Sequence, residues 1–207
     1  QTAAAAAAAT STPNVTQTDN FVFSTTYRTA KWDGEVIARQ IDVITGNVLP
    51  GKVWEAQAQL NSATPASRTI YFRDGAALKP FTFTDLPASL QTYFQGQSSK
   101  LSQWTNLTAP QRTTVDNGPA LINYLRGDKT NEATLFRSRD NTLGDTVNAT
   151  PAYVAKPPYQ FGDAVTPTYV DFQAVSRTPA LYVGTNDAML HALNGTSGAE
   201  MWAYVPT

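Results

Sequence analysis

Three small groups of residues carry side chains that could do chemistry. Arg126-Gly127-Asp128 sets a guanidinium and a carboxylate either side of a glycine. In an exposed loop it would offer its carboxylate to a metal-bearing receptor and its guanidinium to an acidic pocket, a possible receptor-binding tripeptide. At a helix terminus it would be a cap, with Gly127 left-handed after Leu125 and Asp128 bonding a turn amide. The spacing of the preceding residues favours the cap. Asp128, Asn131 and Glu132 are oxygen donors suited to a hard cation. Lys129 interrupts them and the central glycine of a calcium loop is missing, so no metal site is expected. His191 is the only histidine. Without cysteine or a second histidine it makes no zinc site, and its place between Leu190 and Ala192 reads as a packed strand residue. No serine sits in a nucleophile-elbow context. No catalytic residue is expected, and the chain is read as no enzyme.

A fourth group has a conformational chemistry. Asp42, Thr45, Gly46 and Trp54 match Asn194, Ser197, Gly198 and Trp202, the first three at a constant offset of 152 residues and the tryptophan with four extra residues in the first copy. Asp or Asn bonds backbone amides two residues on, Thr or Ser supports the turn, Gly supplies a positive φ, and Trp buries a large ring against a neighbouring sheet. The pattern is an apolar strand, a D/N-x-x-T/S-G turn and a strand bearing Trp. Radial repetition of four-stranded blades lets each blade cover the next. The offset exceeds one blade of about 40 to 50 residues, and a helical insert accounts for the excess.

The elements that would position these residues divide the chain into four parts. Residues 1–20, with an alanine run, read as a low-complexity linker. Residues 21–84 read as first-blade strands: one with Phe21 and Phe23 on a shared face, then Glu35 to Val43, Val53 to Leu60, Thr69 to Arg73 and Leu78 to Thr84. Residues 85–142 read as a helical insert with loops. Its helices run from Leu86 to Gln95 capped by Asp85, onward from Thr108, and from Pro119 to Leu125. Residues 143–207 read as β again. They end in a meander of Leu181 to Val183, Ala188 to Leu193 and Met201 to Val205, with an open edge on each side. A meander placed there looks severed, as in a piece of a longer chain.

Charged residues are 15% of the chain and its net charge is −1, against roughly 25% charged in average soluble domains. Nucleic acid and anionic membrane both demand a concentrated basic face, and none is present. No apolar run reaches the roughly 18 residues needed to span a bilayer. The fold class expected is mainly β, a partial β-propeller with a short helical insert.

The segment ALNGTSGAEMW at 192–202 resembles the A-x-D-x-x-T-G-x-x-x-W turn of quinoprotein-type propellers, where it makes blade-to-blade contacts. A wider resemblance rests on WDGEVIARQID at 32–42, YLRGDKTNE at 124–132, FRSRDNTLGDTVNATPAYV at 136–154 and SRTPALYVGTNDAMLHALNGTSGAEMWAYVP at 176–206. Together they resemble the start of the C-terminal β-propeller of the PilY/PilC family, the tip-associated adhesins of bacterial type IV pili. The resemblance implies a surface protein at the pilus tip, exported through the periplasm, that assembles pili, opposes retraction and adheres to surfaces or host cells. It implies minor pilins and host receptors as partners. It also implies calcium in a later blade, on a D-x-D-x-D/N-G loop that these residues lack, and no cofactor in this chain. The alternatives are a quinoprotein-type dehydrogenase fragment, which would need an acidic cluster and usually a vicinal disulfide, and a passive propeller scaffold in outer-membrane assembly.

Overall fold

The computed structural model describes residues 8–10, 20–28, 30–147, 149–157 and 159–207. Most of the expected linker 1–20 therefore lies outside the described residues. Within it, β1 (Ala8–Thr10) pairs antiparallel with β2 (Phe21–Arg28). β3 (Asp33–Ile41) and β4 (Val48–Glu55) complete a four-stranded antiparallel sheet.

The strand expected from Val53 to Leu60 is corrected. β4 stops at Glu55, and α1 (Ala56–Ser62) follows. Ala-Gln-Ala-Gln-Leu alternates in polarity as a strand would, but all five are good helix formers without a branched Cβ. Ala56 and Leu60, one helical turn apart, are both buried.

The strands expected at 69–73 and 78–84 in the first blade are corrected, because they join the second sheet with those of residues 143–207: β5 (Ile70–Asp74), β6 (Ala77–Pro80), β7 (Ala152–Val154), β8 (Ala180–Thr185), β9 (Met189–Asn194) and β10 (Glu200–Val205). Its order is β6-β5-β10-β9-β8-β7. The open-edged meander is corrected here. β10 pairs antiparallel with β9 on one side and parallel with β5 on the other, with Ala203 opposite Ile70, while β7 covers β8.

Between the halves lie α2 (Ala88–Phe94), α3 (Ala109–Val115) and α4 (Gly118–Leu125). Thr108 and Gln111 form a reciprocal capping box at α3, and the Asn117 side chain caps α4. Asp85 does not cap α2. Pro87 takes that position, and the Asp85 carboxylate accepts the Thr82 hydroxyl instead. α5 (Tyr169–Ala174) was not expected. A capping box of Thr168 and Asp171 opens it within a stretch read as strand and loop.

One face of the six-stranded sheet carries two cores side by side. Leu181, Val183 and Leu193 pack with Phe23, Val36, Ala38, Trp54 and Leu60 of the first unit. Ile70, Phe72, Met189 and Ala203 pack with Phe81, Leu86 and Ile122 of the insert. Strand alternation and register put Tyr71, Tyr182, Leu190, Trp202 and Tyr204 on the opposite face, all half-buried.

Candidate functional site

The two repeat turns have the same hydrogen bonds. Asp42 Oδ1 accepts from the amides of Ile44 and Thr45, both at 2.8 Å, and Asn194 Oδ1 accepts from Thr196 and Ser197 at 2.9 and 3.1 Å. Each closes with a glycine amide donating to the backbone carbonyl of the leading residue at 2.8 Å, Gly46 to Asp42 and Gly198 to Asn194. The glycines share a left-handed φ, +71° and +74°. The Thr45 and Ser197 hydroxyls each accept one further amide.

The structure joins the two copies through Trp54. Its indole N–H donates to the carbonyl of Gly195 at 3.0 Å, and its ring lies over Gly198, where a Cβ would stand 2.5 Å from the indole. The first sheet thus closes on the turn of the second. Trp202, at the matching place in the second copy, rests against Tyr182 at 5.8 Å between ring centroids. Its N–H has no partner among the described residues.

Behind this seam runs a buried ionic chain that the sequence reading did not foresee. His191 is fully buried between two carboxylates, with Nδ1 2.7 Å from Glu200 Oε1 and Nε2 3.1 Å from Asp187 Oδ2. Arg68 grips Glu200 with two N–H donors at 2.7 and 2.8 Å and gives a third to the Arg126 carbonyl at 2.8 Å. Asp187 accepts from Thr185 and from the Gly144 amide. The chain crosses the sheet between its two cores and ties the insert to the 143–145 loop.

Burial alone would push His191 down, but the charges and hydrogen bonds of Asp187 and Glu200 outweigh it and raise the imidazole to about 9. Burial alone would raise both carboxylates. Asp187 is held at about 2 by His191, and Glu200 at about 2 by Arg68 and His191. Thr185 Oγ1, His191 and Glu200 are spaced as a hydroxyl, a base and an orienting acid would be, with Oγ1 3.1 Å from Nε2. The Thr185 hydroxyl is already donated to Asp187, and the cluster ties β8, β9 and β10 together.

No family model matches the chain, and no solved structure matches it. Among curated proteins it is 30% identical to the type IV pilus biogenesis factor PilY1 of Pseudomonas aeruginosa (strain UCBPP-PA14) over 186 residues, covering 85% of this chain and 15% of that protein. It is 31% identical to a PilY1 homolog of Xylella fastidiosa (strain Temecula1) over 199 residues, 92% of this chain and 14% of that one. The chain is a homologue of the PilY1 type IV pilus biogenesis factors. It spans about a seventh of the length of those PilY1 relatives. With 85% of the chain aligned, the PilY1 match takes in strands of both sheets.

In this PilY1 homologue, Arg126 is not presented to a receptor. Its side chain is buried and donates to the carbonyls of Phe81, Pro65 and Arg68. Gly127 turns left-handed at φ +109°, and Asp128 accepts from the Thr130 amide and hydroxyl. The receptor-binding reading of Arg126, Gly127 and Asp128 is corrected to a helix cap whose guanidinium braces the insert. Of the oxygen donors Asp128, Asn131 and Glu132, Glu132 is bound to Arg139 through both its oxygens.

A matched pair of substitutions separates the turn from the docking. Gly46→Ala meets nothing within 4 Å and is expected to cost only the left-handed strain, about 1–2 kcal/mol. Gly198→Ala bears the same strain and drives a methyl into Trp54, adding about 1–3 kcal/mol. Urea unfolding of the two variants checks the difference. Equal losses would mean that Trp54 does not rest on this turn.

Proposed function

We propose that the chain forms consecutive blades of a β-propeller in a type IV pilus biogenesis factor, which reaches the bacterial surface through the periplasm and acts at the pilus tip. Its work is assembly and adhesion and not catalysis. Minor pilins at the tip are its partners in assembly and in opposing retraction, and surface or host receptors are its partners in adhesion. The names of its relatives support the pilus role. The observation that carries the blade reading is Trp54 seated on the 194–198 turn. Radial repetition needs a contact of this kind, in which the Trp-bearing strand of one unit closes on the homologous turn of the next.

Two further features fit. α2 and α4 pack at the β5–β10 end of the sheet, away from the Trp54 seam, as an insert between blades would. The half-buried aromatic face around Trp202 supports a following blade seated against it. Calcium, if the whole protein uses it, is assigned to no residue of this chain. The test is deletion of the gene in its source bacterium, with surface pili counted and twitching measured. Few pili and lost twitching are expected, both restored by the full gene. Normal piliation, twitching and adhesion together would overturn the proposal.

A further inference from the structure

Trp32 sits at the tip of the β2–β3 hairpin with a left-handed φ of +56° and is 64% exposed. A bulky aromatic in that conformation costs about 1–3 kcal/mol, and so exposed a ring recovers little of it by burial. The surroundings hold it there. Arg28 pairs with Asp33 across the tip, Lys31 and Arg28 each reach Asp140 at 3.4 Å, and Arg137 donates to the Lys31 carbonyl at 3.1 Å.

The ring stands at the rim of a cleft of about 470 Å³, within the range of roughly 300–1,000 Å³ usual for small-molecule sites. Tyr124 lines it, its ring fixed between Phe136, 4.9 Å between centroids, and the Arg139 guanidinium 3.7 Å from the ring centroid. Arg139 is already paired with Glu132. Arg137 also lines the cleft, is exposed, and has no carboxylate in ion-pair range among the described residues. The buried carboxylate of Asp145 lines the same cleft, its Oδ1 already accepting from the Asn186 side chain and the Val147 amide.

We propose that this cleft binds a saccharide bearing a carboxylate. The electron-rich face of Trp32 suits the C–H face of a sugar ring. Arg137 provides one charge-assisted partner for the carboxylate, and the Oδ2 of Asp145 takes a hydroxyl. One unpaired cation beside two acids, Asp145 and Asp187, suits a single negative charge and disfavours a phosphate dianion.

The 207-residue chain is titrated with sialyllactose, digalacturonate and neutral lactose, read by tryptophan fluorescence and calorimetry. Saturable binding of an acidic saccharide is expected, roughly tenfold or more tighter than lactose. Trp32→Gly, which suits the left-handed backbone, is expected to abolish binding with an unchanged circular dichroism spectrum. Arg137→Gln is expected to weaken the acidic saccharide roughly tenfold and leave lactose alone. No saturable binding, equal binding of lactose, or unchanged affinity in either variant would overturn the assignment. The site is separable from the pilus role, since binding is read on the isolated chain.

Discussion

His191→Ala is expected to lower the free energy of unfolding by about 3–5 kcal/mol, because it leaves two buried carboxylates facing an empty site. Arg68 still neutralises Glu200, so the greater exposure of charge falls on Asp187. The pH dependence carries a signature that a simple cavity would not. The imidazole is raised from 6.5 to about 9, so its contribution is complete below pH 6.5 and is lost as the pH climbs through 9. Asp187 and Glu200 are lowered from 3.8 and 4.5 to about 2. Their contribution is complete above pH 4.5 and is lost as the pH falls toward 2. The wild-type chain should therefore be most stable between about pH 4.5 and 6.5 as far as this cluster decides. In His191→Ala the decline between 6.5 and 9 should vanish. Urea denaturation across that range measures it, and a retained alkaline decline would mean that another group is responsible.

The second large effect is at Trp54. Truncation to alanine is expected to cost about 3–5 kcal/mol from lost packing and a cavity. It removes the ring from a core it shares with Phe23, 5.8 Å away between centroids, and with Leu181 and Leu193 of the other sheet. Trp54→Phe keeps most of the apolar area but orphans the Gly195 carbonyl, so about 1–3 kcal/mol is expected. Native-state hydrogen exchange gives the sharper test. In the alanine variant the amides of β8 and β9 should lose protection more than those of β5, which the insert's own core supports. Uniform loss along the sheet would argue that the two cores open together and that the seam has no separate stability.

Much of the β character was legible because turns obey local rules. Asp42 and Asn194 could be paired by spacing alone, since an Asx side chain, a hydroxyl and a glycine fix a turn without help from the rest of the chain. Thr108 and the glycine after Arg126 announced helix ends for the same reason. What stayed hidden depends on partners far away. Nothing near Glu200 signals that it will face His191 and Arg68, because that meeting needs β10 between β9 and β5. His191 itself was legible as a packed strand residue, but its charge was not. Arg126 reads as a surface cation until the carbonyls of Phe81, Pro65 and Arg68 close round it. The α1 segment was misread because alternating Ala and Gln satisfies a strand's period while its composition suits a helix, and burial of Ala56 with Leu60 decided between them.

The parallel pairing of β10 with β5 constrains the order in which this chain can reach its native state. Residues 70–74 are made well before residues 200–205, and one edge of their hairpin waits for β10. A contact so distant in sequence forms slowly, and an exposed strand edge is a template for the wrong neighbour in the meantime. Until β10 arrives, the β5–β6 hairpin should thus be shaped but still adhesive toward other nascent copies, a hazard that ends only when Ala203 settles opposite Ile70.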